Sequence, residues 1–143
     1  MRSFLDGLAI ALAGFGFGCS ETEPASEPQH VSKTYKLSAA EIAPLALGRA
    51  GAIASDRITV DGRPVGYMYR TRSRNEMDSG WAFLAGDETE AYMAENENHD
   101  IYDVNTIANY DRDIIPLLDA PVGAAFIRTS RGLEQDPEGA PPE

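Results

Sequence analysis

The chain has 143 residues, of which 43% are hydrophobic, and this is the size of one compact domain with an ordinary core. Twelve basic residues against 23 acidic ones give a net charge of -11, which repels phosphate backbones and argues against nucleic-acid binding. A single cysteine and two histidines exclude an internal disulfide framework and disfavour a structural zinc site. We therefore predict one acidic domain without metal or cofactor, for which a basic partner is easier to accommodate.

Residues 1–19, MRSFLDGLAIALAGFGFGC, have the outline of a bacterial lipoprotein signal. Arg2 precedes an apolar stretch, and Cys19 stands where the lipid-bearing cysteine follows the cleavage site. Asp6 in the apolar run and Gly16, at a position where leucine is usual, depart from that pattern. We expect a lipid-anchored protein that faces the periplasm or the cell exterior, with Cys19 as the lipidation candidate. The alternative is an apolar extension on a cytoplasmic protein.

The remainder of the chain divides into three parts by composition. Residues 20–36 are polar, contain two prolines and lack apolar periodicity, so they predict a tether. Residues 37–131 carry the patterned apolar segments and predict the folded domain. Residues 132–143 are rich in proline, glycine and acids, which predicts a disordered acidic tail.

The first half of the domain shows signals for one helix and three strands. Ser38 and Glu41 are spaced as in a capping box, so a helix is predicted over 39–47, although Pro44 confines or kinks it. Strands are predicted at 52–54, 57–60 and 65–70, with Asp61-Gly62 as a hairpin turn.

In the second half of the domain, the sequence predicts a strand in GWAFLAG (80–86), a helix over 88–95 and a strand in HDIYDV (99–104). A helical turn capped by Asn105 follows, then an apolar turn or short helix interrupted by Pro116, and a last strand in AAFIRT. Strands and helices mix without the regular alternation of a parallel sheet. The predicted fold is therefore α+β, with a small, mainly antiparallel sheet and two to four short helices in a single domain.

Charged residues are distributed unevenly. Residues 49–74 contain six arginines and two aspartates, whereas residues 86–119 contain ten acids and one arginine. Either the two blocks pair with each other and cover a solvated surface, or the acids form a face that steers a cationic partner. In the strand over 65–70, Tyr67 and Tyr69 share one side and Met68 the other, so one tyrosine row is a candidate contact surface.

No recognised catalytic constellation is present. Cys19 lies in the leader, and His30 and His99 lie in polar segments, so none is a persuasive nucleophile or base. Asp87, Glu88 and nearby Glu90 lack the interleaved ligands and central glycine of a calcium loop. We predict no catalytic residues and no metal ligands. A small enzyme or ligand-binding domain that uses Asp78, Asp87 and Glu88 remains an alternative, as does an envelope scaffold domain.

Three ordered blocks carry a family resemblance: SDRITVDGRPVGYMYR, DSGWAFLAGDE and IYDVNTIANYDRDIIPLLDAPVG. Together, from residue 52 to residue 128, they resemble Imm33, formerly DUF2185, a family of predicted immunity proteins in bacterial polymorphic toxin systems. The chain departs from the family pattern at Ala82, where a basic residue is expected, and at Arg112, where proline is expected.

The resemblance implies binding to a cognate protein toxin rather than catalysis, and an acidic domain suits a basic toxin. It also implies an interaction or fold role for the residues that match the family pattern. These residues are Asp78, Gly80, Trp81, Gly86, Asp87, Glu88, Tyr102, Asn105 and Tyr110. For partner contact, we expect Asp87 and Glu88 at the turn, with Trp81 holding that turn in place.

Overall fold

A computed structural model describes residues 33–142 of the chain. Its strands are β1 (Gly51–Ser55), β2 (Tyr67–Arg70), β3 (Asp78–Leu84), β4 (His99–Asp103), β5 (Ala125–Thr129) and β6 (Gly132–Gln135). Its α-helices are α1 (Asp56–Thr59), α2 (Glu90–Ala94) and α3 (Val104–Tyr110), and 3₁₀ helices cover Ala39–Glu41, Asn96–Asn98 and Arg112–Leu117. Within residues 33–142, every helix is too short or too polar to cross a membrane.

The six strands form one sheet in the order β4-β1-β3-β2-β5-β6. β1 and β3 run parallel, and the other neighbouring strands pair antiparallel. The predicted α+β fold with a mainly antiparallel sheet and few short helices is confirmed.

One face of the sheet carries the core. Ala52, Ala54, Met68, Phe83 and Phe126 project from this face and are buried. The helical side supplies the buried residues Ile58, Val104, Ile107, Ala108, Ile114 and Leu118, which complete the same cluster. The helices of the core therefore cover one side of the sheet, as in a two-layer domain.

A buried acidic residue links the helical layer to the sheet. Asp111 accepts hydrogen bonds from the backbone N–H of Val65 at 2.9 Å and from that of Asp113 at 3.0 Å. Its carboxylate also pairs with Arg128, whose guanidinium reaches Asp113 at 3.0 Å. A buried carboxylate is tolerated only with such partners, so this network holds the 3₁₀ helix against β5.

The strand and hairpin predicted around Asp61-Gly62 are wrong. Residues 56–59 form α1, because the Ser55 hydroxyl accepts from the N–H of Arg57 at 3.1 Å and caps a helical turn. That turn buries Ile58 in the core. Gly62, with φ of 77°, ends it by donating its N–H to the Ile58 carbonyl.

The helix predicted over 39–47 is shorter than expected. Only Ala39–Glu41 is helical, and the Glu41 carboxylate accepts from the N–H of Ser38 at 2.8 Å, as the capping pattern indicated. The predicted cap Asn105 is also wrong. Asp103 caps α3 by accepting from the N–H of Asn105 at 2.8 Å.

Both predicted boundaries of the domain lie too far inward. At the start, Lys33 pairs with Asp56 at 2.9 Å and the N–H of Lys36 donates to the Thr59 carbonyl, so residues 33–36 belong to the domain rather than to a tether. At the end, the tail predicted to be disordered from Gly132 forms β6 against β5. The predictions for residues 1–32, including Cys19, lie outside the described residues.

Candidate partner-binding surface

The three carboxylates considered for a ligand site lie apart. Asp78 begins β3, whereas Asp87 and Glu88 follow its end at Leu84. At about 3.3 Å per residue, the strand alone separates them by roughly 20 Å. Among residues 33–142, no group of three or more His, Cys, Asp or Glu side chains is placed to hold a metal ion. The structure therefore does not bring these carboxylates into one pocket.

Asp78 and Gly80 shape the loop between β2 and β3. The Asp78 carboxylate accepts from the backbone N–H groups of Arg74 at 2.9 Å and Gly80 at 3.0 Å, and from the Arg74 side chain at 3.1 Å. Burial raises the pKa of Asp78, but these hydrogen bonds outweigh it and lower the pKa overall. Gly80 has φ of 85°, and a Cβ there would lie 2.1 Å from the Thr71 carbonyl oxygen. Both residues are required by the local backbone.

The turn after β3 is also internally bonded. Glu88 accepts from the N–H groups of Ala85 at 2.8 Å and Gly86 at 2.9 Å. Burial raises the pKa of Glu88, but its hydrogen bonds, from Ser55 and from the turn itself, lower it overall. Gly86 has φ of 106°, in the region that favours glycine. Glu88 and Gly86 therefore build the turn.

Asp87 is an exposed residue of this turn. Its carboxylate lies 2.6 Å from the Arg63 guanidinium and 3.5 Å from that of Arg57. The hydrogen bond from Arg63 lowers the pKa of Asp87. Because these arginines already neutralise it, Asp87 is a weaker contact for a cationic partner than its sequence position indicated.

Trp81 is a core residue. Only 2% of its surface is exposed, and its ring stacks on Phe83 with centroids 6.0 Å apart. Its indole N–H donates to the Leu118 carbonyl at 3.3 Å, which satisfies the one polar group of the side chain. The Arg70 guanidinium lies 5.6 Å from the ring centroid.

Asn105 fixes the irregular segment before β1. Its side-chain oxygen accepts from the N–H groups of Leu45 and Ala46, both at 2.7 Å, and its amide donates to the Ala43 carbonyl at 2.9 Å. The side chain thus supplies the hydrogen bonds that the predicted helix would have made. Asn105 is buried, so its role in the described structure is to attach this segment.

Tyr102 and Tyr110 contact the segment that begins the domain, at Tyr35 and Leu37. The Tyr110 hydroxyl donates to the Thr59 carbonyl at 2.9 Å and accepts from the N–H of Leu37 at 3.1 Å. The Tyr102 hydroxyl lies 3.3 Å from that of Thr59, and its ring meets Tyr35 edge-on. Burial raises the pKa of Tyr102. The family-pattern residues thus lie in turns, in the core and in contacts that attach the first segment of the domain. They do not form a single cluster.

The sheet face opposite the core is lined by apolar and aromatic side chains, and we call it the open face. Across the strands, Ile101 lies opposite Ile53, and Tyr67 lies opposite both Leu84 and Ile127. Ile101 is 65% exposed and Ile127 is 42% exposed. Leu84, Tyr67 and Ile127 adjoin on neighbouring strands, and adjoining apolar side chains at the surface are a typical feature of a binding site.

The tyrosines of β2 belong to the open face. Tyr67 and Tyr69 are half-buried with ring centroids 5.4 Å apart, whereas Met68 is fully buried on the core side. Burial raises the pKa of Tyr69, and burial together with nearby Asp136 raises that of Tyr67. Both phenols therefore stay neutral near pH 7 and are available as hydrogen-bonding aromatic contacts.

The C-terminal segment crosses one end of the open face. The N–H of Asp136 donates to the Ala125 carbonyl at 2.7 Å, and that of Ala140 donates to the Gly123 carbonyl at 2.9 Å. Pro141 and Pro142 then border a cleft of about 270 Å³, whose lining also includes Ile53, Tyr69, Arg72 and Ala82. The part of the face around Tyr67, Leu84 and Ile127 lies outside this cleft.

The arginine-rich residues 49–74 and the acidic residues 86–119 form only a few ion pairs with each other. Arg49 binds Asp119 at 2.7 Å, and Arg57 and Arg63 bind Asp87. No lysine or arginine occurs between Arg74 and Arg112. Within residues 86–110, five exposed acids form no ion pair in the described part of the chain; we call them the acidic margin, and they are Glu90, Glu95, Glu97, Asp100 and Asp103.

Sequence reasoning identified the tyrosine row but missed the aliphatic part of the open face. Ile101 and Ile127 lie in the strands predicted in HDIYDV and AAFIRT, at positions that alternate with the core-facing residues of β4 and β5. The signal in the sequence is period-2 alternation, which places each isoleucine on the face of the sheet that points away from the core.

These features define an acidic α+β domain with a single sheet, one face of which is covered by helices and the other left open. Residues 52–136, more than half of the chain, match the family model described as Immunity protein Imm33 domain. The chain belongs to the Imm33 immunity protein family, and the resemblance of its three sequence blocks is confirmed. No curated protein and no solved structure matches it.

Proposed function

We propose that this protein neutralises a cognate protein toxin by binding to it, without catalysing a reaction. Membership of an immunity protein family supports the role. The observation that carries the binding mode is the open face, where tyrosine and aliphatic side chains are presented together on a rigid sheet. Tyrosine is enriched in protein interfaces and among the residues that carry most of the binding energy.

The proposal is tested by producing the protein together with the toxin encoded by the adjacent gene. Growth should be restored, and the two purified proteins should form a complex of fixed stoichiometry. Restored growth without any complex would contradict binding as the mechanism. Failure of both rescue and binding would favour the alternative of an envelope scaffold domain.

A titration distinguishes binding from catalysis. An inhibitor that occupies the toxin must approach equimolar amounts before toxin activity disappears, whereas an enzyme that modifies the toxin protects at a small fraction of that amount. We expect toxin activity to fall linearly to an equivalence point near one protein per toxin. Complete protection far below that point would support the alternative of a small enzyme.

We also propose that the protein is anchored through lipid at Cys19 and meets its toxin outside the cytoplasm. The support is the order of basic residue, apolar stretch and cysteine in residues 1–19. Labelling with radioactive palmitate should mark the wild type and not Cys19→Ala. Labelling of neither would favour the alternative of a cytoplasmic protein, and equal labelling of both would contradict Cys19 as the site of attachment.

A further inference from the structure

We infer that the open face docks a cationic patch of the toxin, with Tyr67, Leu84, Ile101 and Ile127 contacting its apolar centre and the acidic margin contacting its lysines or arginines. This inference rests on the proposed function and specifies the chemistry of the partner. A basic protein surface is the occupant to which the following observations point.

The first observation concerns shape and polarity. Tyr67 lies between Leu84 on β3 and Ile127 on β5, so three apolar side chains adjoin across three strands without an intervening charge. Flat, rigid aromatic surface costs little conformational entropy when it is covered. This part of the face is the natural centre of an interface, while Pro141 and Pro142 occupy the region beside Tyr69.

The second observation concerns the edge of the sheet. The N–H of Val104 donates to the Ala50 carbonyl, so antiparallel alternation directs the N–H of Ile101 away from β1. There the Asp100 carboxylate accepts it at 2.8 Å. A strand edge whose outward donor is already bonded, beside exposed carboxylates, is protected against pairing with another strand. The partner is therefore not expected to extend the sheet at the β4 edge.

The third observation is charge complementarity. By alternation along β4, Asp103 projects on the same side as Ile101, which adjoins Ile53 on the open face. Glu95 and Glu97 lie in the segment that leads into β4. Asp103 therefore borders the open face, while the other acids of the margin lie at the β4 edge or in the segment before it. With no ion pair within the described range, they add negative potential that attracts a cationic surface over a Debye length of about 8–10 Å. A second copy of this acidic chain would be repelled.

The test measures association and dissociation rates against the catalytically inactive toxin domain encoded by the adjacent gene. Tyr67→Ala/Ile101→Ala removes apolar contacts from the face. Its matched control is Leu47→Ala/Val122→Ala, which removes side chains that are 67% and 55% exposed elsewhere. We expect the first pair to raise the dissociation rate at least about tenfold and the control to change it less than about twofold.

The contribution of charge is tested with the double variant Glu95→Gln/Glu97→Gln, which removes two charges of the acidic margin. Its matched control is Asp61→Asn/Glu76→Gln, which removes two exposed charges that lie outside the margin. Removing charge at the side of an interface mainly slows association. We expect the first pair to slow it about three- to tenfold at low salt, with the difference vanishing at about 0.5 M salt, where the Debye length is only a few ångströms. Urea unfolding of all four variants establishes that they are folded.

The outcomes separate this inference from the proposed function. If the wild type protects and binds but the face and margin variants behave like their controls, the inference is overturned and the toxin-binding function stands. If the wild type neither protects nor binds, both are overturned. If sedimentation shows a wild-type dimer that Tyr67→Ala/Ile101→Ala dissociates, the face belongs to a second copy and the inference is also overturned.

Discussion

Replacing Asn105 by alanine tests whether this family-pattern residue serves the fold. The substitution removes the acceptor for the N–H groups of Leu45 and Ala46, and the donor to the Ala43 carbonyl. That carbonyl keeps its bond from the Asn109 side chain at 2.9 Å. The cost therefore arises mainly from two backbone donors. A buried unsatisfied donor costs about 1–3 kcal/mol.

Ala46 is buried and Leu45 is half-buried, so water can reach one donor more easily than the other. We expect a loss of about 2–4 kcal/mol in the free energy of unfolding. With an m value of about 1.5–2 kcal/mol per molar urea, the unfolding midpoint falls by roughly 1–2.5 M. Hydrogen exchange at residues 45 and 46 should accelerate more than exchange in β3, because only the attached segment loses its bonds.

Asn105→Asp provides a matched comparison. Its carboxylate still accepts the two N–H bonds but places a negative charge beside the Ala43 carbonyl, so its midpoint should lie between those of the wild type and Asn105→Ala. Toxin binding by the folded fraction of either variant should remain unchanged. An unfolding midpoint within about 0.3 M of the wild type for Asn105→Ala, or a loss of binding without a loss of stability, would refute the structural role.

Three further substitutions probe other contacts by urea unfolding. Gly80→Ala should cost at least about 2 kcal/mol, since its Cβ would lie 2.1 Å from the Thr71 carbonyl oxygen at a φ of 85°; an unchanged midpoint would show that the loop adapts. Asp111→Ala should cost about 2–4 kcal/mol by leaving the N–H of Val65 without its acceptor, and a loss below about 1 kcal/mol would contradict this. Because the pKa of Asp78 is lowered in the folded state, its contribution is present above the unfolded pKa of about 4 and is lost as the pH falls through the folded value. Asp78→Asn should therefore be less stable than the wild type at pH 7 and converge with it at about pH 2, and a constant difference across that range would count against the assignment.

Local signals predicted the strands but failed where two signals competed. The stretch from Arg57 to Gly62 has β-branched residues before an Asp-Gly pair, which is the pattern of a hairpin. The Ser55 cap and the burial of Ile58 instead favour one helical turn. Tertiary burial decided the outcome, and a single window of sequence does not contain that information.

The end of the chain was mispredicted for a related reason. Proline, glycine and acidic residues after Gly132 give it the composition of a disordered segment. Its backbone nevertheless pairs with β5, with Leu133 opposite Arg128. Composition measures what a segment can bury by itself, whereas an edge strand is stabilised by donors and acceptors that an existing sheet offers.

The candidate surface was harder to predict than the core. The burial of Trp81 follows from the apolar, glycine-bounded strand in which it lies. By contrast, the contact of Tyr67 with Leu84 and Ile127 depends on which strands are neighbours. Strand order arises from long-range pairing, so the contact between these side chains could be recognised only from the structure.

The pairing of Tyr67 with Ile127 on neighbouring strands also determines at what point of synthesis the open face is complete. β2 lies in the first half of the chain, but its outer partner β5 is made near the end. Pairings between distant segments form slowly compared with local ones. A chain cut short before residue 125 would have the tyrosines but no completed surface around them. Under the proposed function, we therefore expect such a shortened chain to lack the toxin contacts of the open face.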